Sequence, residues 1–271
     1  MQRLLLIDAD FILFKTCYNS VLSETERMYG IKKEKSLQET LDLIDWYLVE
    51  KIFKPTNANY YLGFLGGEGN YRYSIDSGYK AGRSTERPPY FKEAKQYLVD
   101  KYKFVLVDGI EAEDAVGICL SEVLIAVPDE KLWGEVFEKI IVHQDHDLNQ
   151  LPGVHYNPVK DGWNTISEEQ ARYNFNLQLL TGCKTDKVEG LKKGVGEVKA
   201  KKILDELTKG DDRVRVVIAY IKEWGLREGG RRFKQAYKLL RILREKEDFI
   251  IPEIQSINKE VKLIDTNDLV F

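Results

Sequence analysis

Residues 1–10 read MQRLLLIDAD, and the run Leu4-Leu5-Leu6-Ile7 within them is the stretch on which the fold turns. A short apolar run bounded by charge is the mark of a strand buried on both faces, as in parallel sheets. Asp8 and Asp10 interrupt the run too early for a secretory leader or a membrane span, so a cytoplasmic protein is expected.

Working outward, Asn59–Phe64 (NYYLGF), Phe104–Val107 and Ile140–Val142 are further strand candidates. Between them lie helical patterns. Ser36 caps a helix carrying Leu37, Leu41, Ile44, Leu48 and Ile52, which Pro55 is expected to end. A second helix spans about Tyr90 to Tyr102. A third carries Ala115, Cys119 and Val123 on one row and Val116, Leu120 and Leu124 on the next. Glycine-rich Gly63 to Arg87 reads as a loop. Alternation of strand and helix predicts an α/β fold with a mostly parallel sheet flanked by helices, whose ligands sit at the carboxyl ends of the strands.

From Asn164 the chain turns to helices and basic loops. Ser167 and Gln170 form a capping box for a helix through Leu180. Another helix starts after Gly196, and a third holds Phe233, Ala236, Tyr237, Leu240 and Leu243. The expected division is a sheet core over 1–163, with a basic loop at about 65–102, and a helical segment over 164–271.

Composition narrows the chemistry. Cys17, Cys119 and Cys183 are scattered, which argues against a disulfide framework or a structural zinc site. His143, His146 and His155 are the only histidines, so histidine-based catalysis has few candidates. The net charge of −3 argues mildly against nucleic-acid binding. Its distribution argues the other way, because Lys and Arg gather between Lys184 and Lys246 while the acids cluster in short motifs.

Three of those motifs fall at strand ends, and a fourth comes later. Asp8 and Asp10 follow the first strand. Glu111, Glu113 and Asp114 lie in DGIEAEDA, Asp145 and Asp147 in HQDHDL, and Asp186 in TGCKTD. Any single pair reads as ordinary surface charge or a helix N-terminus. Three motifs at three strand ends converge on one rim if the strands are parallel neighbours, and carboxylates so crowded repel unless cations share the site. Hard oxygen ligands suit Mg²⁺ or Mn²⁺, and two such ions roughly 4 Å apart serve in-line displacement at a phosphodiester. His143 and His146 flank Asp145 but read more readily as hydrogen-bonding residues than as ligands.

The basic elements complement this rim. Gly194 and Gly196 precede a helix bearing Lys199, Lys201 and Lys202, an arrangement able to hold a phosphate backbone. Lys80 and Arg83, in GYKAGR, can act as a point charge and a bidentate clamp on phosphate, with Arg72 a little upstream. Tyr71, Tyr73, Tyr79 and Tyr90 are candidates for base stacking, although packing is the commoner role.

In order and spacing, LLLIDAD, NYR, GYKAGR, GIEAEDA, DHDL and TGxxxD…GVG resemble the 5′→3′ exonuclease and flap-endonuclease family, its bacteriophage members above all. The resemblance covers nearly the whole chain. It implies a Rossmann-like (PIN-type) nuclease core followed by a helix–three-turn–helix (helix–hairpin–helix-like) module. It also implies hydrolysis of phosphodiesters with two Mg²⁺ or Mn²⁺ ions in replication or repair. By motif, Asp8, Glu111, Glu113 and Asp114 correspond to a first metal cluster, and Asp145, Asp147 and Asp186 to a second. Lys80 and Arg83 correspond to the basic pair beside the scissile phosphate. Arg72, Gly194, Gly196 and Lys199 are expected to contact nucleic acid, with a K⁺ ion at the hairpin. The implied partners are 5′ flaps, nicks and duplex ends of DNA, and RNA–DNA hybrids cut with RNase H activity, by a monomer with no membrane association.

The chain departs from the pattern at several points. Glu113 replaces the usual Asp, Leu65-Gly66-Gly67 stands where an Asp is common, and Lys187 replaces an Asn. Cys183 stands in place of another Asp, which predicts a weaker second ion and weaker endonucleolytic than exonucleolytic cutting. Three alternatives follow: a structure-specific nucleic-acid-binding protein that has lost catalysis, a nuclease whose main target is the RNA of primer–DNA hybrids, and an unrelated α/β hydrolase or phosphatase using one acidic rim.

Overall fold

The computed structural model describes residues 2–18, 35–83, 86–121, 137–160, 162–205, 212–244 and 264–266. Strand β1 (Gln2–Asp8) lies in the middle of the sheet, paired in parallel with β2 (Tyr60–Gly66) on one side and β4 (Phe137–Val142) on the other. Strand β3 (Val105–Val107) extends the sheet beyond β2, and β5 (Gly153–Asn157) beyond β4, both in parallel. Antiparallel β6 (Gly162–Ile166) closes that edge, and β9 (Ile264–Asp265) runs antiparallel beside the start of β2.

Side-chain alternation decides which layer each strand residue serves. Leu5 and Ile7 of β1, with Ile140 and Val142 of β4, face one core. That core is filled from α1 (Asp10–Tyr18), α2 (Leu37–Trp46) and α4 (Phe91–Tyr102). Leu4, Leu6 and Ile141 face the other, against α5 (Ala112–Leu120). Leu4, Leu5, Leu6 and Ile7 are all fully buried. Each contributes about 2 kcal/mol of burial relative to exposure, so this run anchors both layers. Gly63 is required by close approach: a Cβ there would meet the Phe104 ring at 2.6 Å.

The α/β architecture expected from the sequence, a mostly parallel sheet flanked by helices, is present. Some boundaries differ. Ser36 and Glu39 form the capping box of α2, but wider π-type turns carry the chain through Tyr47–Phe53. Pro55 sits inside the last helical turn, Lys54–Thr56, and the stop is Asn57 in the left-handed conformation. The expected loop from Gly63 contains the end of β2 and a short helix, α3 (Arg72–Ile75). Val123 and Leu124 lie outside the described residues.

A third core belongs to the helical segment. Phe175, Leu179 and Leu180 of α6 (Glu168–Thr181) pack with Val216 and Tyr220 of α8 (Asp212–Trp224) and Leu239 of α9 (Leu226–Leu240). The helix expected through Leu243 ends at Leu240, and Ile242 and Leu243 enter the sheet core beside Val116 and Cys119. Residues after 163 thus also build the sheet layer.

Candidate metal and phosphodiester site

The carboxyl ends of β1, β2, β3 and β4 open onto one cleft of about 840 Å³. The strand order reverses at β1, with β2 on one side and β4 on the other, and a crevice forms where neighbouring connections diverge. Asp8 ends β1, and Asp10 opens α1, where its carboxylate accepts from the Gly66 N–H at 3.1 Å. Glu111 and Glu113 enter at the start of α5. Asp145 caps the short 3₁₀ turn His146–Gln150 by accepting from the Asp147 N–H at 2.9 Å. Asp186 arrives on the loop between β7 (Gly182–Cys183) and β8 (Val188–Glu189).

Neighbouring side chains hold these acids in place. Asn70 donates to Glu111 at 2.6 Å, and the Lys80 ammonium pairs with the same carboxylate. Gln178 donates to Asp147 at 2.8 Å. The Tyr79 hydroxyl lies 3.1 Å from Asp186 and 3.3 Å from Glu111, and Arg83 pairs with Asp186.

The cleft is charge-imbalanced. Among the described residues, seven carboxylates line it (Asp8, Asp10, Glu111, Glu113, Asp145, Asp147, Asp186), against Lys15, Lys80, Arg83 and Arg87. Burial, then the charges of Asp10 and Asp145, push Asp8 well above the ordinary carboxylate range. Burial also raises Asp10. Burial and neighbouring Glu111 raise Glu113 strongly. Asp147 is pushed up to about 7 by burial, Asp145 and Asp186. Glu111 is the exception: burial would raise it, but Arg72 and Lys80 outweigh that and hold it at about 2. Mutually repelling buried carboxylates at strand ends fit hard divalent cations, which would be held by Asp8, Glu111 and Glu113 with Asp145, Asp147 and Asp186 across the cleft.

No family model and no curated protein matches the chain in sequence. Comparison in three dimensions does find counterparts. The D15 protein of phage T5, crystallised with metal ions, aligns with a TM-score of 0.53 at 14% identity over 94% of this chain and 91% of that one. The bacteriophage T5 D15 flap endonuclease in complex with DNA and metal ions aligns at 0.54 and 13% identity, over 88% and 99%. The catalytic core of Rad2 in complex with DNA substrate aligns at 0.50 and 10% identity, over 97% and 82%. This chain has the flap-endonuclease fold. At such identity the likeness establishes the architecture, while the chemistry rests on the residues in the cleft.

The flap-endonuclease fold brings Lys80, Arg83 and six of the seven proposed ligands into one cleft. Asp114 and Arg72 need correction. Arg72 is buried, as is Asp114, and the two form a bidentate ion pair with N···O distances of 2.5 and 2.9 Å. Asp114 also accepts from the backbone N–H groups of Glu111 and Leu243, at 3.1 and 3.0 Å. With its oxygens so engaged it is a positioning residue beneath the ligands, and Arg72 cannot reach a nucleic-acid surface. Tyr79 is likewise buried and bonded to Glu111 and Asp186, so it is not a stacking residue, whereas half-exposed Tyr73 lines the cleft.

Gly194, Gly196 and Lys199 lie elsewhere, at the turn entering α7 (Glu197–Asp205). Gly194 has φ +85°, and a Cβ on either glycine would meet nothing within 4 Å, so the turn's backbone stands open. Lys199 donates to the Gly194 carbonyl at 3.1 Å. His143 is no cleft ligand: its ring contacts His155 at 2.8 Å and the Asp145 carbonyl at 2.5 Å, and burial followed by His155 lowers it to about 4. Sequence reading did not single out Gln178 or Asn70 as supports for the acids. A polar residue on a helix or loop carries no local signal of the carboxylate it will meet.

The electrostatics give a signed prediction. A carboxylate raised on folding binds more protons folded than unfolded, so stability falls as pH climbs between the two values. For Asp147 that window runs from the usual carboxylate range to about 7, and the raised Asp8 and Glu113 act in the same sense. His143, lowered on folding, acts oppositely, and the comparison must therefore be with a variant. In EDTA, Asp147→Asn should flatten the decline in melting temperature between about pH 5 and 7. Parallel curves for the variant and the parent would refute this assignment.

Proposed function

We propose that this chain is a divalent-metal-dependent 5′-nuclease that hydrolyses phosphodiesters at 5′ ends, flaps and nicks of DNA, and at RNA primer strands, acting as a cytoplasmic monomer in replication or repair. The observation that carries this is the convergence of six acidic ligand candidates from separate strand ends on one cleft that also holds Lys80 and Arg83. The phage T5 D15 flap endonuclease bound to metal ions and DNA, and the Rad2 catalytic core bound to DNA substrate, share this fold and support it.

Mg²⁺ or Mn²⁺ bound there would supply water activation and charge neutralisation for in-line displacement. The protein's part follows from its own residues. Lys80 and Arg83 flank the acids and neutralise charge developing on the phosphate oxygens. Gln178, Asn70 and Tyr79 hold the carboxylates in register. His143 and His155 are not bases for the reaction, since both are buried against each other beneath the cleft. The open turn at Gly194 and Gly196, with Lys199 beside it, grips the duplex backbone without reading sequence, and its hairpin is the place for a K⁺ ion.

The test is a 5′-flap duplex labelled at either end in separate reactions with Mg²⁺, Mn²⁺ or EDTA. Metal-dependent release from the 5′ end or cutting near the junction is expected, abolished by EDTA. Tight binding with no cleavage in either metal would instead make this a structure-specific binding protein.

A further inference from the structure

The cleft contains a donor set unlike the rest of its acidic wall. Asp147, Cys183 and Asp186 each place one ligand atom within 4.8 Å of the others. The Cys183 sulfur lies 3.8 Å from Asp147 Oδ2. A tetrahedral ion with metal–sulfur and metal–oxygen distances of about 2.3 and 2.1 Å would separate those two atoms by about 3.6 Å, so little movement is needed. The scaffold around them is defined: Cys183 pairs with Val188 in the β7–β8 hairpin, Gln178 holds Asp147, and Asp186 is buried against Tyr79. Arg83, the ion-pair partner of Asp186, is half-exposed and free to yield that carboxylate to a bound cation.

We propose that Asp147, Cys183 and Asp186 form a metal subsite that selects a borderline, sulfur-tolerant cation of the Zn²⁺ or Co²⁺ class over Mg²⁺. This rests on the reading of the cleft as a metal site. A thiolate stabilises such ions and offers nothing to Mg²⁺, which demands oxygen donors, while two carboxylates keep the set from being purely soft. The all-oxygen face formed by Asp8, Glu111 and Glu113 keeps the opposite preference, so the two halves of the cleft would carry different metals.

Co²⁺ titration of the full chain gives a direct readout, because a thiolate-bound Co²⁺ produces a sulfur-to-metal charge-transfer band in the near ultraviolet. The band is expected in the parent protein and should be displaced by Zn²⁺ far more readily than by Mg²⁺. C183S should lose the band and weaken Zn²⁺ binding by more than about tenfold, the least expected when a ligand rather than an outer partner is removed. C183D should lose the band and gain Mg²⁺ affinity. Alkylation of the parent chain needs no variant: Zn²⁺ should protect Cys183 and Mg²⁺ should not, and buried Cys17 and Cys119 leave Cys183 as the reporting thiol among the described residues. Co²⁺ bound without a sulfur band, or a band surviving in C183S, would overturn the proposal. Mg²⁺-supported flap cleavage, measured in parallel, separates the readings: cleavage without the band sinks the subsite alone, and no cleavage in any metal sinks the nuclease.

Discussion

Arg72→Ala is expected to destabilise the protein by about 3–5 kcal/mol, the usual cost of stranding one partner of a buried ion pair. In a chain of this size that lowers the melting temperature by roughly 10 °C. The reason is specific to the connections made. Arg72 holds Asp114 through two bonds and donates to the carbonyls of Leu239 and Arg241, at 2.9 and 2.7 Å. Asp114 in turn accepts from Leu243. This pair therefore ties the start of α5, which carries Glu111 and Glu113, to the segment where α9 gives way to the sheet core. An isolated buried pair can often be exchanged for apolar side chains at no loss. Here the double variant R72M/D114L would orphan four backbone groups and should remain well below the parent. Thermal melts decide it, and a double variant as stable as the parent would show that the pair is not the tie described. Hydrogen exchange should place the loosening at 239–243.

Glu113→Gln and Asp8→Asn are expected to reduce metal-dependent cleavage at least about a hundredfold, because several kcal/mol of transition-state charge stabilisation depend on the ions these residues would hold. The same substitutions should raise the stability of the metal-free protein. Burial and neighbouring carboxylates push both groups far above their normal range, so ionising them at neutral pH opposes folding. The two effects have opposite signs and are measured separately, by flap cleavage in Mg²⁺ and by melting in EDTA. A variant that loses both activity and stability would mean the carboxylate is structural. Divalent cation should raise the melting temperature of the parent more than that of either variant.

Much of this was legible locally. Leu4-Leu5-Leu6-Ile7 reads as a strand covered on both faces and is one, and the acids follow the strand ends because that is where chain leaves the sheet with side chains free to converge. The same period and punctuation located Ser36, Ser167 and the helices they cap. What the sequence by itself determined is thus the alternation of strand and helix and the placing of Asp8, Glu111, Glu113, Asp145 and Asp147 just past strand ends, which parallel pairing of those strands brings to one rim. What only tertiary structure decided is which charged residues face that rim. Asp114 sits three residues from Glu111 and one from Glu113, yet its side chain turns inward to Arg72, and Tyr79 leaves the surface to bridge Glu111 and Asp186. A chain of letters records that a residue is charged; whether the charge is spent on a partner from 42 positions away is settled by packing, since burying either group alone would cost more than the fold can bear.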